Sequence, residues 1–231
     1  MLYEIAHLIK NKCAFLWNVI EWSNDALFQI AYRRELKEIP SILNEISNET
    51  FTIRIADEND APDLVRFFSE QQDEAYRFFN PHGFDIKSVL RVLHNKAFMT
   101  FIVTEEDSLV GYFFLRSFIN GKCFKGRIVD YRQRNRGIAK LMGLAINKVA
   151  GNLGLRIYTT ISPENYASLA STKAVNDIRI VKTLENGYYY IECTPKQSQQ
   201  YAVKPMVGGG KSERYIINKA VMPQYIVRYA A

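Results

Sequence analysis

The sequence predicts an α/β (α+β) protein, and three observations support this fold class. Stretches with strand alternation and stretches with helical spacing follow one another from about residue 51 to residue 195. Two pairs of strands are joined by short turns, at residues 105–107 and 185–187, which predicts antiparallel hairpins. The chain has 231 residues, of which 48% are hydrophobic and 23% charged, so it can form one sizeable core.

Residues 1–47 are predicted to form an extra helical segment of one or two helices that closes at Pro40. Their apolar content is too high for a solvated helix. Four polar residues interrupt the apolar run, which argues against a membrane span: Asn18, Glu21, Asn24 and Asp25. Two alternatives stay open for residues 1–45. They pack on the main domain or on a second subunit in a homodimer, or they lie as an amphipathic helix on an anionic membrane.

The first half of the main domain begins with a strand at residues 51–55. Asp60 is expected to cap the next helix, with Pro62 in its first turn. An aromatic loop follows at residues 76–84, and Asp85 is expected to cap a further helix. Strands at 98–103 and 108–118 form the first predicted hairpin, and a strand at 123–130 comes after it.

The most informative stretch is the strand-to-helix turn at residues 129–140, which is rich in arginine. Five apolar residues at helical spacing predict a helix that Gly151 ends: Ile138, Leu141, Met142, Ala145 and Val149. The unpaired N–H groups of a helix start attract anions, and Gly137 and Ala139 leave room for a phosphate. Arg134, Arg136 and Lys140 add positive charge. By themselves these residues fit either a polyphosphate-binding turn or a basic, solvated helix start.

The remainder of the chain is predicted to contain a strand at 155–162, a short helix headed by Pro163 and Asn165, and a hairpin of strands 179–184 and 188–192. Residues 205–212 differ by one residue from a phosphate-binding Walker A loop, with Pro205 in place of the first glycine. The preceding segment is polar and few residues follow. We therefore expect a flexible glycine loop there and not a nucleotide site.

The turn carries a resemblance to a known family. Residues 134–139, Arg-Asn-Arg-Gly-Ile-Ala, resemble the Gln/Arg-x-x-Gly-x-Gly/Ala signature of the GNAT superfamily of N-acetyltransferases, and the order of elements over 51–195 is similar to that of its small-molecule members. The resemblance implies a GNAT-like mixed, mostly antiparallel central sheet flanked by helices. It divides the chain into a helical N-terminal segment (1–47), an acetyltransferase domain (48–195) and a C-terminal extension (196–231).

The resemblance also implies acetyl-CoA as the acyl donor. Its pyrophosphate would lie on seven residues of the turn: Arg134, Asn135, Arg136, Gly137, Ile138, Ala139 and Lys140. In the family the fourth and fifth strands splay apart around the pantetheine arm, so Ile128 and Val129 would border that arm. Asn165 matches a position that often holds pantetheine, although it also fits a plain helix cap.

The implied activity is direct attack of a small-molecule amine on the thioester, with an amino sugar as one acceptor that fits the basic chain. A backbone N–H near Val129 would polarise the carbonyl. Thr172 stands where many members carry a tyrosine that protonates the thiolate, with Ser171 beside it and Tyr166 as a substitute.

The general base is left open between three candidates: His82, Glu74 and Asp130. Each also has a simpler interpretation. His82 fits a residue that shapes its turn, Glu74 fits a solvated charge, and Asp130 fits the end of its strand. The glutamate that protein-acetylating members carry in the fourth strand is replaced by residues 123–125, Cys-Phe-Lys, which favours a small acceptor.

Other functions are weighed against this one. A catalytically weak CoA-binding module for regulation or assembly is the alternative, motivated by Thr172. The net charge of +6 and pI near 9.1 also fit an adaptor for an anionic surface, but no nucleic-acid-binding module is present, so we expect no nucleic acid partner. The spacing of Cys13, Cys123 and Cys193 supports neither a disulfide framework nor a metal site. With no signal peptide visible, we expect a cytoplasmic protein.

Overall fold

The structure, a computed structural model, describes residues 14–196, with side chains from residue 19 onward. Cys13, the Walker-like stretch at 205–212 and the rest of the C-terminal extension lie outside the described residues. The division into segments 1–47, 48–195 and 196–231 stays a prediction.

Seven helices and seven strands are described. The helices are α1 (Ala14–Ala31), α2 (Arg33–Ile46), α3 (Ala61–Ser69), α4 (Asp73–Tyr76), α5 (Ile86–His94), α6 (Ile138–Asn152) and α7 (Tyr166–Lys173). The strands are β1 (Thr52–Ile55), β2 (Phe98–Glu105), β3 (Ser108–Phe118), β4 (Lys122–Val129), β5 (Arg156–Ile161), β6 (Asn176–Thr183) and β7 (Tyr189–Pro195). Short 3-10 helices lie at Glu58–Asp60 and Tyr131–Gln133.

All seven strands form one sheet in the order β1-β2-β3-β4-β5-β7-β6. Every neighbouring pair is antiparallel except β4 and β5, which are parallel. The predicted mixed, mostly antiparallel sheet is therefore confirmed. The parallel pair at its centre needs a crossover connection, and α6 provides it.

Each face of the sheet carries its own hydrophobic core. Helix α6 covers one face together with α2, whose Ile39 and Leu43 are fully buried there. Helices α3 and α5 cover the opposite face, where Leu64 and Phe68 pack against Tyr112 of β3. Side chains alternate between faces along β4, so Cys123, Lys125, Arg127 and Val129 lie toward α6, and Phe124, Gly126 and Ile128 lie toward α3. Cys193 is buried on the α6 side as well.

The structure corrects two predictions about helix ends. The N-terminal helix does not close at Pro40, because α2 continues through it to Ile46. A proline inside a helix costs about 3 kcal/mol, a cost that burial of Ile39 and Leu43 on either side of it offsets. Asp60 occupies the N-cap position of α3, but its carboxylate makes no capping hydrogen bond to this helix and forms a double ion pair with Arg54 at 2.7 and 2.6 Å. The side-chain cap lies one turn earlier, where Asp57 caps the 3-10 helix that leads into α3.

Among residues 14–196, no helix is long and apolar enough to cross a membrane.

Candidate active site

The two central strands separate partway along their length. Pairing between β4 and β5 covers only residues 122–124 of β4 against 156–158 of β5. Beyond this point β4 continues to Val129 against β3, and β5 continues to Ile161 against β7. At the fork the Thr159 hydroxyl donates to the carbonyl of Lys125 at 3.2 Å. The β5-facing edge of β4 therefore opens into a slot.

Backbone groups of β4 line this slot. The Lys125 carbonyl points toward β5, and Asp130, just after the strand, donates its N–H to Val110 on the β3 side. Because backbone groups alternate in direction along a strand, the N–H groups of Arg127 and Val129 face the slot. They are placed to donate hydrogen bonds to a ligand lying along β4.

The slot ends at the turn that begins α6. Asn135 and Gly137 both have positive φ, 64° and 83°, and this left-handed geometry reverses the chain into the helix. The backbone N–H groups of Gly137, Ile138 and Ala139 donate to no described residue, since the first bonds of the helix come from Lys140 and Leu141. The turn thus presents three adjacent donors at a positive helix end.

The cations of this turn fall into two groups. Arg134 and Lys140 are exposed, and neither makes an ion pair or hydrogen bond with its side chain to any described residue. Arg136 is engaged by Glu105 of β2, with two N–O distances of 2.6 Å, and its guanidinium lies 5.2 Å from the Phe51 ring centre. The sequence by itself favours a solvated turn at 105–107. In the structure Glu105 of this turn is instead engaged by Arg136. Arg134 and Lys140 are the cations available to an anion here.

Several solved structures share this architecture. The GNAT domain of S. lividans PAT superposes with a TM-score of 0.54 at 18% identity, over 62% of this chain and 89% of that domain. The aminoglycoside acetyltransferase AAC(6')-Ib, solved with acetyl-CoA, gives 0.53 at 15% identity over 68% and 100%. The ribosomal-protein-S5-alanine acetyltransferase of Vibrio fischeri gives 0.52 at 14% identity over 66% and 97%. The chain has the GNAT fold. No family model and no curated protein matches the sequence.

Within this GNAT fold the α6 side of the slot contains two cations, of which Lys125 is buried and Arg127 is largely buried. Lys125 and Arg127 lie on the same face of β4, and burial lowers the pKa of both, to about 8 for Lys125 and about 10 for Arg127. The positive charge of Arg127 lowers the pKa of Lys125 further. Neither cation pairs with a carboxylate among residues 19–196. A charge in this position is costly unless an anion approaches it.

The Arg127 guanidinium bridges α6 and α7. It donates to the carbonyl of Ala139 at 2.9 Å, to the Ser171 hydroxyl at 2.8 Å and to the Thr172 hydroxyl at 3.1 Å. Gly143 of α6 leaves room beside it, because a Cβ there would lie 2.8 Å from a guanidinium nitrogen and 2.7 Å from a Val175 methyl. Thr172 is thus a buried acceptor for Arg127 that keeps its own O–H free to donate.

The other residues predicted from α7 have different surroundings. The Asn165 side chain accepts the N–H of Ser168 at 3.0 Å, so it acts as the cap of the helix. Tyr166 is 77% exposed and makes no side-chain contact that holds it toward the slot. Ile128 is buried on the α3 face and Val129 is partly buried on the α6 face, and both lie on the part of β4 that β5 no longer pairs with.

His82 lies in an aromatic cluster on the α3 face. Its ring is within 6 Å of the ring centres of Phe68, Phe84, Phe98 and Tyr112. Because Nδ1 is 2.7 Å from the Gly83 carbonyl, Nδ1 carries the proton, and Nε2 accepts the hydroxyl of Tyr112 at 2.7 Å. Both nitrogens are therefore occupied, and His82 can take a substrate proton only if the Tyr112 hydroxyl turns away.

Burial lowers the pKa of His82 below its ordinary 6.5, outweighing the Gly83 hydrogen bond and Asp85, which raise it. As the pH drops through 6.5, the unfolded chain therefore binds a proton at His82 before the folded chain does. The free energy of unfolding is highest above that pH and decreases as the pH falls below it. We expect His82→Gln, which can still accept from Tyr112, to flatten this acid-induced loss in urea titrations across the window.

His94→Gln is the matched control, because His94 lies exposed at the end of α5 beside Glu58. His94→Gln is expected to keep the acid-induced loss of unfolding free energy that the wild type shows. If the unfolding free energy depends on pH equally in the wild type and in His82→Gln, His82 is not the group that titrates.

The two carboxylate candidates for the base have different surroundings. Burial raises the pKa of Asp130, but hydrogen bonds and charge from Arg132 outweigh it, and the pKa is lowered. Asp130 is thus held as the carboxylate partner of Arg132 in the turn after β4. Glu74 is exposed on α4 and makes no described contact.

The aromatic loop at residues 76–84 crosses from α4 to the far side of the slot. Arg77 forms an ion pair with Glu164 of the β5–α7 connection, and the backbone carbonyl of Arg77 accepts the hydroxyl of Tyr188 at 3.4 Å. Beneath it, Phe79 and Phe114 lie against Tyr112, and Gly126 leaves the space that the Phe114 ring fills. The loop therefore reaches across the open ends of β4 and β5 on the α3 side, where aromatic side chains lie below it.

Two residues central to this site, Lys125 and Arg127, were not among the predicted binding residues. The sequence does carry a signal for them. Lys125 and Arg127 lie at every second position between Cys123 and Val129, so all four residues share one face of the strand. Cations at core-facing positions of a strand mark a site that an anion can complete.

Proposed function

We propose that this chain is an acetyl-CoA-dependent N-acetyltransferase that acts on the amine of a small molecule. The observation that carries the proposal is the slot between β4 and β5, which ends at a turn with open N–H groups and two unpaired cations, Arg134 and Lys140. This arrangement fits a ligand with an extended arm and a polyphosphate. Acetyl-CoA supplies a thioester whose carbonyl carbon an amine attacks.

The residues that would hold the phosphates are those of the turn. Gly137, Ile138 and Ala139 offer backbone donors, and Arg134 and Lys140 offer charge. Along the slot, the N–H of Val129 or Arg127 is available to stabilise the negative charge that develops on the carbonyl oxygen.

The α6 side of the slot provides a donor for the leaving thiolate. Thr172 has a hydroxyl proton to donate, and the charge of Arg127 lies behind it at 3.1 Å. A threonine alone is a poor acid, but a buried cation next to it favours a developing negative charge. Arg127 and Thr172 together would therefore serve where a tyrosine serves in many acetyltransferases.

The acceptor compartment favours a small amine. The 76–84 loop and its contacts with Glu164 and Tyr188 confine the α3 side of the slot, which limits the entry of a folded protein. AAC(6')-Ib acetylates aminoglycosides whereas the V. fischeri enzyme modifies a ribosomal protein, so the fold accommodates both acceptor classes. An amino sugar, whose ring C–H groups can pack on aromatic rings, is the acceptor we propose to test first. His82 is the proposed base, once Tyr112 releases Nε2.

The second candidate function, a CoA-binding module without efficient turnover, has a specific observation in its favour. The Arg127 guanidinium bridges α6 and α7. A pantetheine arm that enters between these helices has to pass this guanidinium. A protein that binds CoA in this way but turns over no amine would serve regulation or assembly.

Calorimetric titration with acetyl-CoA tests the phosphate-binding turn. We expect Arg134→Ala to weaken binding by about 10- to 100-fold, the loss of one charge-assisted hydrogen bond to phosphate. Arg136→Ala is the matched control in the same turn, and we expect it to weaken binding less, because Glu105 engages Arg136.

No binding by the folded wild type, or equal losses in the two variants, would contradict the assignment of the turn. Thiol release with a panel of amino sugars and other amines then separates the two candidate functions. Binding with turnover of one amine supports the acetyltransferase, whereas binding without turnover of any amine supports the module.

A further inference from the structure

Helix α1 is oriented with its polar side toward the protein and its apolar side outward. Asn24 donates its side-chain N–H to the carbonyl of Ser117 at 3.0 Å, and Asp25 accepts the N–H of Ala97 at 2.9 Å. Glu21 pairs with Arg116 at 2.8 Å. These bonds join α1 to the ends of β2 and β3, so they fix the rotation of the helix about its own axis.

The outward side of α1 forms an apolar stripe. Residues three and four apart share a helix face, and the stripe contains Val19, Ile20, Trp22, Leu27 and Ile30. Trp22 is 72% exposed and Ile30 is 75% exposed, although Phe28 on the opposite side is fully buried. Large apolar side chains gathered on an exposed face, opposite specific polar anchors, indicate an interaction surface.

The charges around the stripe are basic. Among residues 19–37 the exposed ionisable side chains are Arg33, Arg34 and Lys37, which follow directly after the end of α1. The two carboxylates of α1, Glu21 and Asp25, are turned toward the protein and bonded there. Glu35 lies between Arg34 and Lys37 but is partly buried, and the next exposed carboxylate along the chain is Glu38. The segment after the stripe therefore exposes three cations ahead of its first exposed carboxylate, and an anionic surface is complementary to them.

Over residues 19–30, where its side chains are described, the stripe by itself is too small to hold a second copy of the chain. Twelve residues from Val19 to Ile30 span about 18 Å, and a helix face about 10 Å wide gives roughly 200 Å². Two such stripes would bury about 400 Å², well below the roughly 1,200 Å² that stable protein interfaces need. A bilayer surface has no such requirement, because a helix can insert its apolar side shallowly along its whole length.

We propose that the outward face of α1 is a docking surface for an anionic phospholipid bilayer. Trp22, Leu27 and Ile30 insert at the boundary between headgroups and acyl chains, where tryptophan is favoured. Arg33, Arg34 and Lys37 contact the lipid phosphates. The helix lies along the membrane plane, and the polar anchors of α1 hold the domain at the surface.

Flotation of the full chain with vesicles tests this proposal. The protein is expected to float with vesicles of phosphatidylcholine and phosphatidylserine, and at least about tenfold less with phosphatidylcholine alone, because several basic side chains contribute to binding. The double variant Trp22→Ser/Ile30→Ser should lower flotation by at least about tenfold, since it removes two inserted side chains. Ile180→Ser is the matched control, because Ile180 is a comparably large apolar residue, 50% exposed on β6.

A second measurement needs no variant of the stripe. The chain has two tryptophans, so Trp17→Phe leaves Trp22 as the reporter, and brominated acyl chains should quench its fluorescence. No flotation with anionic vesicles, or flotation that survives Trp22→Ser/Ile30→Ser with unquenched Trp22, would overturn the proposal. A concentration-dependent dimer that the double variant abolishes would overturn it too, in favour of a second copy of the chain.

Discussion

Replacing Lys125 with methionine is expected to raise the free energy of unfolding near neutral pH by about 1–3 kcal/mol. Most core substitutions destabilise, so the direction is diagnostic. Lys125 is buried on the α6 face of β4, and burial followed by the charge of Arg127 lowers its pKa to about 8. Its ammonium has no described hydrogen bond or ion pair. Methionine keeps the length of the side chain and removes the charge.

The pH dependence of this effect follows from the same shift. Between pH 8 and pH 10.5 the unfolded chain holds a proton on Lys125 that the folded chain has lost, so stability increases with pH across that window. Lys125→Met should remove the increase, which urea denaturation at a series of pH values measures. Lys87→Met, on the exposed face of α5, is the control and should change stability by less than about 0.5 kcal/mol. A loss of stability in Lys125→Met would mean that its ammonium is compensated.

Replacing Arg127 with methionine is expected to lower kcat by about 10²- to 10³-fold, the usual cost of removing a group that stabilises transition-state charge. The reason is the position of its guanidinium behind Thr172, the proposed donor to the leaving thiolate. Acetyl-CoA binding should change less than kcat, because the phosphate-binding residues are untouched. Steady-state release of CoA thiol with the amine found in the panel gives kcat, and calorimetry gives the affinity.

Two further variants separate chemistry from packing at this position. Thr172→Val removes the hydroxyl and should lower kcat by about tenfold or more. Ser171→Ala removes a neighbouring acceptor of Arg127 and should have a smaller effect, because Ser171 also donates to the carbonyl of Ser168 within its own helix. Tighter CoA binding and undiminished turnover in Arg127→Met would contradict a catalytic role. These two results would show instead that the Arg127 guanidinium obstructs the pantetheine arm of CoA.

Some features of this protein follow from local sequence alone. The turn at 129–140 could be predicted because a helix start, a glycine with positive φ and exposed cations are properties of neighbouring residues. The order of strands and helices could be predicted for the same reason, since alternation and helical spacing are local patterns. The mixed sheet and the cap at Asn165 are consistent with those patterns.

Other features depend on residues far apart in the chain. Glu105 engages Arg136 across 31 residues, and Tyr112 occupies Nε2 of His82 across 30 residues. No local pattern encodes either contact. The same holds for Arg127, whose partners lie on two separate helices, and for α1, whose polar side turns inward because unpaired groups at the ends of β2 and β3 bind it. Local sequence determined the elements and the arginine-rich turn before α6, whereas packing decided which charged groups stay free, because burial and long-range partners set their energies.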